Sequence, residues 1–282
     1  MSLDSSYIQP NRGHVRFYSA IETPGNDREE RVLTIALSVQ AKEFPERFTW
    51  AEDNSFALEY TPDPIHPELI REHVAASVKR GVPVRFHTRF FGYEMGNTDS
   101  EKAEEAYQVH SQVIQEMSGL GEPVVTVHLN LSSQIPFDSS RAVDNLTRLV
   151  EKARESNIIV CLENLRRGPT SNPNNVLEWA VGSGAMITMD IGHAVSSEYV
   201  KEGNITPAEI VDLFSDRLYE AHMYGKEEDR HYPVEDMEVT GLIIDRLITT
   251  NCRWWTIELD DYKEALSTRS LVINYLNKFK KE

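Results

Sequence analysis

The sequence predicts an α/β protein, a (β/α)8 TIM barrel with a short N-terminal extension. Short runs rich in Val, Ile, Leu, Thr and aromatic residues alternate with longer amphipathic stretches along most of the 282 residues. One such barrel needs about 250 residues, which fits this length. An open doubly wound sheet is the main alternative. However, no Gly-x-Gly-x-x-Gly follows the first apolar run, and no phosphate-loop Gly-Lys-Ser/Thr occurs.

Eight apolar runs have the composition of strands that are covered on both faces. These predicted strands are 33–39, 56–60, 82–87, 124–129, 158–164, 186–190, 218–223 and 254–259. The predicted helices are 67–80, 101–117, 139–155, 174–181, 207–214, 236–250 and 268–281. Ser100 and Asp138 stand where N-caps are expected. We expect residues 1–30 to form the extension and residues 31–282 to form a single barrel domain.

The amino-acid composition indicates which kinds of binding partner and which cellular compartment to expect. There are 29 Lys and Arg against 45 Asp and Glu, a formal net charge of −16, which disfavours binding of nucleic acid or an acidic membrane through a broad basic surface. Only Cys161 and Cys252 are present, too few for a disulfide framework or a zinc-thiolate site. No run resembles a signal peptide or a membrane span. A cytoplasmic protein is therefore expected.

Six consecutive predicted strands each end, within one residue, in a side chain that can bind a metal ion. These residues are His87, His128, Glu163, Asp190, His222 and Glu258. Two further histidines, His193 and His231, follow closely after strands, and Asp229 precedes the second of them by two positions. Active sites of such barrels lie at the carboxyl ends of the strands. The pattern thus predicts a shared divalent-metal centre, with Zn²⁺, Mn²⁺, Fe²⁺ or Co²⁺ preferred over Ca²⁺ and one to three ions per chain.

Over residues 30–280 these features resemble the xylose isomerase-like TIM-barrel superfamily, which holds sugar isomerases and epimerases together with endonuclease IV, an abasic-site nuclease. The sugar branch implies a core metal held by Glu163, Asp190, His222 and Glu258, with the two glutamates exchanging a substrate proton. The nuclease branch adds a set that completes a trinuclear zinc site. Carried over, that set is His87, His128, His193, Asp229 and His231.

The neighbouring residues are closer to the sugar branch. Asp190-Ile191-Gly192-His193 has the form common there, whereas the nuclease has Asp-Thr-Cys-His. Met223-Tyr224-Gly225-Lys226 stands where the nuclease has Asn-Asp-Ser-Lys. Phe90-Phe91 match the nuclease pair that enters DNA, but Gly92-Tyr93 break that motif. The resemblance therefore leaves both activities open.

Two enzymatic hypotheses follow. The first is an isomerase or epimerase for a sugar or sugar-like substrate, with or without a phosphate, in which Glu163 and Glu258 transfer the proton. Its substrate-binding candidates are His193, Arg166, Lys226 and Phe90. The alternative is an endonuclease IV-like phosphodiesterase with two or three zinc ions. A barrel that keeps the ligands without activity is a third possibility. A small-molecule substrate is expected, the charge disfavours nucleic acid without excluding it, and a homo-oligomer is left open.

Overall fold

A computed structural model describes residues 32–279, in which eight parallel strands close into a barrel. The barrel strands are β1 (Thr34–Gln40), β2 (Ala57–Thr61), β3 (Val84–Thr88), β4 (Val124–Val127), β5 (Ile159–Glu163), β6 (Met186–Asp190), β7 (Leu218–Met223) and β10 (Trp254–Ile257). Neighbours in the ring follow chain order, and β1 closes it by pairing with β10. The short strands β8 (Lys226–Glu227) and β9 (His231–Tyr232) form an antiparallel hairpin after β7. This arrangement confirms the predicted TIM barrel.

Helices connect the strands and cover the outside of the barrel. They are α1 (Glu46–Asp53), α2 (Leu69–Lys79), α3 (Ser100–Met117), α4 (Ser139–Glu155), α5 (Pro173–Ser183), α6 (Ile191–Ser196), α7 (Glu198–Lys201), α8 (Pro207–Phe214), α9 (Glu238–Leu247) and α10 (Tyr262–Phe279). No helix within the described range is long and apolar enough to cross a membrane. The extension expected at residues 1–30 lies outside the described residues, so that division of the chain stays a prediction.

The structure differs from the predicted elements at several points. The sequence patterns did not predict α1, α6, α7 or the β8–β9 hairpin, and α10 begins at Tyr262 rather than at residue 268. The N-cap of α3 is Asp99 and not Ser100, since the Asp99 carboxylate accepts bonds from the backbone N–H groups of Glu101 (3.0 Å) and Lys102 (3.3 Å). Asp138 is confirmed as the N-cap of α4.

Helix α1 stabilises the barrel where β1 pairs with β10. Arg47 is only 4% exposed. Its guanidinium donates hydrogen bonds to the carbonyl oxygens of Ser38 on β1, and of Leu259 and Asp260 after β10. The buried guanidinium thus provides hydrogen-bond donors for three carbonyl oxygens at the ends of two strands. Arg47 therefore fixes the chain that follows Glu258 against the end of the first strand.

His110 of α3 makes the stability of the barrel sensitive to acid. Burial lowers the pKa of its imidazole from 6.5 to about 4. As the pH falls below 6.5, His110 becomes protonated in the unfolded chain but stays neutral in the folded protein. The free energy of unfolding is therefore unaffected by this residue above pH 6.5 and decreases as the pH falls towards 4. We expect His110 to cost about 2 kcal/mol of unfolding free energy between pH 7 and pH 5. Urea unfolding of the wild-type protein and of His110→Gln at both pH values measures this; equal pH dependence in the two would contradict it.

Candidate metal centre

The six strand-end residues meet at one end of the barrel interior. His87, Glu163, Asp190 and His222 belong to β3, β5, β6 and β7, while His128 and Glu258 follow β4 and β10 by one residue. All six are at most 6% exposed. They converge because parallel strands of a barrel deliver their carboxyl ends to the same rim. The structure thus brings together every residue that the strand-end pattern singled out.

Three donor atoms of His87, His128 and Glu163 point at one another. The Nε2 atoms of the two imidazoles lie 2.7 Å apart. Glu163 Oε2 is 3.4 Å from His87 Nε2 and 3.5 Å from His128 Nε2. The two Nε2 atoms are at hydrogen-bond distance, and the two ring nitrogens with the carboxylate oxygen are the donor types that a metal ion with nitrogen and oxygen ligands uses.

A second group of donors surrounds His222. Its Nδ1 atom is 3.3 Å from Glu163 Oε2, 3.7 Å from Glu258 Oε2 and 3.9 Å from Asp190 Oδ2. Glu163 takes part in both this group and the first one. A carboxylate shared in this way would contribute to both sites if each group held an ion.

A third group joins His193, His231 and Glu227, and it departs from the expected ligand set. Glu227 Oε2 lies 3.3 Å from His193 Nε2, and donor atoms of all three residues lie within 4.8 Å of one another. Asp229 is exposed instead, and its carboxylate accepts a hydrogen bond from the Tyr232 hydroxyl at 2.8 Å. The structure therefore does not bring Asp229 into the cluster, because the β8–β9 hairpin turns Glu227 inwards in its place.

Burial and the charges of neighbouring groups shift the pKa values of the cluster residues. Burial lowers the pKa of His87, but the negative charge of Glu59 and the nearby carboxylates of Glu163 and Glu258 outweigh it and raise the pKa to about 10. Burial lowers the pKa of His128 to about 3. The carboxylates of Glu163 and Glu258 keep pKa values well below normal despite burial, because charged imidazoles face them. His87 and His222, whose pKa values are raised, thus supply positive charge beside the buried carboxylates, whereas His128 stays neutral.

The residues present fit a divalent ion. Among the described residues, several buried atoms of this cluster have no hydrogen-bond partner. They are Nδ1 of His87, His128 and His222, both oxygens of Glu163, Oδ2 of Asp190 and Oε1 of Glu258. Leaving so many polar atoms buried and unpaired is costly, whereas metal coordination satisfies them. Imidazole nitrogens combined with carboxylate oxygens are the donor set of Zn²⁺, Mn²⁺, Fe²⁺ or Co²⁺.

A cavity of about 170 Å³ lies above the cluster. Its walls include Arg89, Arg166, Arg167 and the side chain of Phe91, which is 61% exposed. Arg166 is held in place, because its Nη1 donates to the Glu227 and Glu228 carbonyls and its Nε lies 3.1 Å from Glu227 Oε2. The wall is therefore suited to an anionic group.

The predicted substrate-binding residues separate into two pairs. His193 and Arg166 line the cavity. Lys226 is exposed and pairs with Glu228 at 2.7 Å, outside the cavity lining. Phe90 is 3% exposed and packs on His110 with ring centroids 5.0 Å apart, so its neighbour Phe91 faces the cavity instead.

Two acidic residues of the site were missed from the sequence. Glu59 is fully buried on β2, and its Oε1 lies 3.0 Å from His222 Nε2. A lone glutamate within the apolar run 56–60 was the signal that could have identified it. Glu227 stood in a charged segment that resembled a solvated loop, so no pattern distinguished it from Glu228.

Gly192 allows the residues around His193 to pack. A methyl group at this position would lie 1.9 Å from a ring carbon of Tyr224, which is fully buried and stacks on His231 with centroids 4.0 Å apart. We expect Gly192→Ala to lower the free energy of unfolding by about 3 kcal/mol, since the ring cannot move without disturbing that stack. Denaturant unfolding measures this change.

Gly182→Ala is the matched control for that variant. Gly182 also lies in a helix, α5, but a methyl group there meets nothing within 4 Å. We expect it to raise stability by about 0.5–1 kcal/mol through helix propensity alone. Equal stability of Gly192→Ala and the wild-type protein would show that Tyr224 can repack.

Comparisons with known proteins agree with this architecture. A sequence model described as xylose isomerase-like TIM barrel matches residues 46–268. An uncharacterized protein of Methanocaldococcus jannaschii is 31% identical over 190 residues, covering 67% of this chain and 81% of that protein. A D-tagatose 3-epimerase-like protein has a similar structure, with a TM-score of 0.71 at 20% identity over 88% of this chain and 99% of that one. Endonuclease IV from Thermus thermophilus gives 0.64 at 15% identity over 87% and 99%.

Proposed function

Because the chain belongs to the xylose isomerase-like TIM-barrel family, we propose that it is a divalent-metal-dependent isomerase or epimerase. Its substrate is a small sugar-like molecule that carries an anionic group. The family contains epimerases, isomerases and endonuclease IV, so an enzymatic role is the common one. Membership of the family does not distinguish among these reactions, so the proposal is argued from the residues of the site.

The observation that carries the proposal is the placement of Glu163 and Glu258. Both side chains line the floor of the same cavity. Their strands, β5 and β10, are separated by two strands, β6 and β7, on one side of the ring and by four on the other. Two carboxylates that reach one small cavity from different sides can address the two faces of a substrate carbon, as proton exchange with isomerisation or epimerisation requires.

The chain's own residues have separate tasks in this reaction. Glu163, Asp190, His222 and Glu258 would hold the ion, which when bound supplies Lewis-acid polarisation of a carbonyl and so acidifies the adjacent C–H bond. Glu258 lines the cavity, its Oε1 lies 3.2 Å from His87 Nδ1, and its carboxylate is the group that takes up the proton. Arg166 and Arg167 line the cavity and hold the anionic end of the substrate.

Exchange of substrate hydrogen with solvent tests the proposal. The metal-loaded protein is incubated in D₂O with a panel of ketopentoses, ketohexoses and their phosphates. We expect one or more of them to gain deuterium at the carbon next to the carbonyl, with the phosphates favoured by the arginines of the wall. Failure of the loaded protein to exchange any member, together with cleavage of a phosphoester, would replace this function by the second candidate.

Phosphoester hydrolysis is the second candidate, and the three donor groups favour it. Glu163 belongs to the first two groups, and His193, Glu227 and His231 form a third. Adjacent ions can clamp a phosphate and activate a water molecule. The net charge of −16 and the small cavity oppose a DNA duplex as substrate. Metal analysis with an abasic-site oligonucleotide assay decides: about three zinc ions per chain with strand cleavage would reverse the order of the two candidates.

A further inference from the structure

Glu59 is a fully buried carboxylate beneath the cavity, and neither hypothesis from the sequence gave it a role. It lies on β2, and its Oε1 is 3.0 Å from His222 Nε2. It does not belong to the cavity lining, unlike Glu163 and Glu258. A charged group held in this position must be compensated by its neighbours, because burial without compensation is costly.

The ring of His222 divides its two nitrogen atoms between two environments. Nδ1 faces the carboxylates of Glu163, Asp190 and Glu258 at 3.3–3.9 Å and has no hydrogen-bond partner among the described residues. Nε2 faces Glu59. A nitrogen that donates its proton to one carboxylate cannot also bind a cation, so the two atoms must have different roles.

We propose that Glu59 is a positioning residue, which accepts the Nε2–H bond of His222 and thereby presents the Nδ1 lone pair to the metal. This inference rests on the proposed metal centre and adds a residue that contacts a ligand of the metal and not the metal itself. A carboxylate behind a metal-bound histidine fixes the tautomer and ring orientation and raises the basicity of the coordinating nitrogen. Glu59 is therefore a determinant of metal affinity without touching substrate.

Glu59 as a direct ligand is the rival explanation. Donor atoms of Glu59, His87, His222 and Glu258 lie within 4.8 Å of one another. However, Glu59 Oε2 is 3.8 Å from His87 Nδ1, and its Oε1 is already used by His222. A direct ligand and a positioning residue differ in a measurable way, since loss of a ligand from a separate ion removes one equivalent of bound metal.

Titration with Co²⁺ alone separates these roles in Glu59→Leu and Glu59→Gln. We expect Glu59→Leu to weaken Co²⁺ binding about 10–100-fold with unchanged stoichiometry and an altered visible d–d spectrum. Glu59→Gln should lose less, because its amide oxygen still accepts the Nε2–H bond; it also covers the case in which the leucine variant does not fold. Glu52→Gln is the control, a buried acid of α1 that pairs with Arg80 at 2.7 Å and belongs to none of the donor groups, and it should bind like the wild-type protein.

Each other outcome rejects the inference. Wild-type affinity and spectrum in both Glu59 variants would show that Glu59 does not position His222. Loss of one bound equivalent at saturation would make it a ligand. Absence of Co²⁺ binding by the wild-type protein would reject the metal centre itself and this inference with it, so failure of the proposed function is recognised separately.

Discussion

Glu258→Gln is expected to slow hydrogen exchange at the substrate carbon by roughly 10³-fold. The amide has the shape of the carboxylate but cannot accept a proton. Glu258 is 6% exposed, lines the cavity and keeps its pKa well below normal despite burial, because of the charges of His222 and His87. Deuterium incorporation followed by NMR gives the rate for both proteins.

The interpretation of that loss depends on the metal content, because Glu258 also contributes to the second donor group. Metal analysis of the variant shows whether the ion remains on Glu163, Asp190 and His222. Glu264→Gln is the matched control: this glutamate on α10 pairs with Arg230 at 2.7 Å, lines neither the cavity nor the cluster, and should leave exchange unchanged. Normal exchange in a metal-depleted Glu258→Gln protein would reject metal-assisted proton transfer altogether.

Removal of the metal by a chelator should abolish activity and lower the melting temperature by about 5 °C. An ion present at a hundredfold excess over its Kd stabilises the folded state by about 2.7 kcal/mol. For a domain of this size each kcal/mol corresponds to about 2 °C. The physical reason is that, without the ion, the buried oxygens of Glu163 and Nδ1 of His222 make no hydrogen bond among the described residues. Thermal unfolding followed by circular dichroism measures the shift.

Readdition of the ion is the control for this experiment. Zn²⁺, Mn²⁺ or Co²⁺ supplied in slight excess after dialysis should restore both the melting temperature and activity, and the ion that restores most identifies the preferred metal. A melting temperature that does not change on chelation, in protein shown by analysis to lose its metal, would contradict the structural part of this prediction.

Most of the fold could be predicted from the sequence, because strands buried on both faces leave apolar runs that polar helices separate. The ends of those runs also located six residues of the site. Helix α1 could not be predicted, since Glu46–Asp53 has a weakly apolar face and is held by Arg47 through contacts with β1 and the segment after β10. Long-range contacts of this kind leave no periodic pattern in the sequence.

Replacement of Asp229 by Glu227 in the third donor group shows the limit of sequence reasoning within the site. Both acids lie in one charged segment, and only the pairing of Lys226–Glu227 with His231–Tyr232 decides which faces His193. Two-residue strands carry too little pattern to be predicted. The cytoplasmic location, the oligomeric state and the identity of the metal stay predictions.

The closure of the barrel has a consequence for the order in which the protein matures on the ribosome. Strand β1 pairs with β10, and Arg47 bonds to the carbonyls of Leu259 and Asp260, so the first and last parts of the barrel complete one another. Until the final strand emerges, β1 and β7 each present an open edge that can pair with another chain. Glu258 directly follows β10. A nascent chain therefore acquires its proposed catalytic base at the same stage at which β10 covers the open edges of β1 and β7.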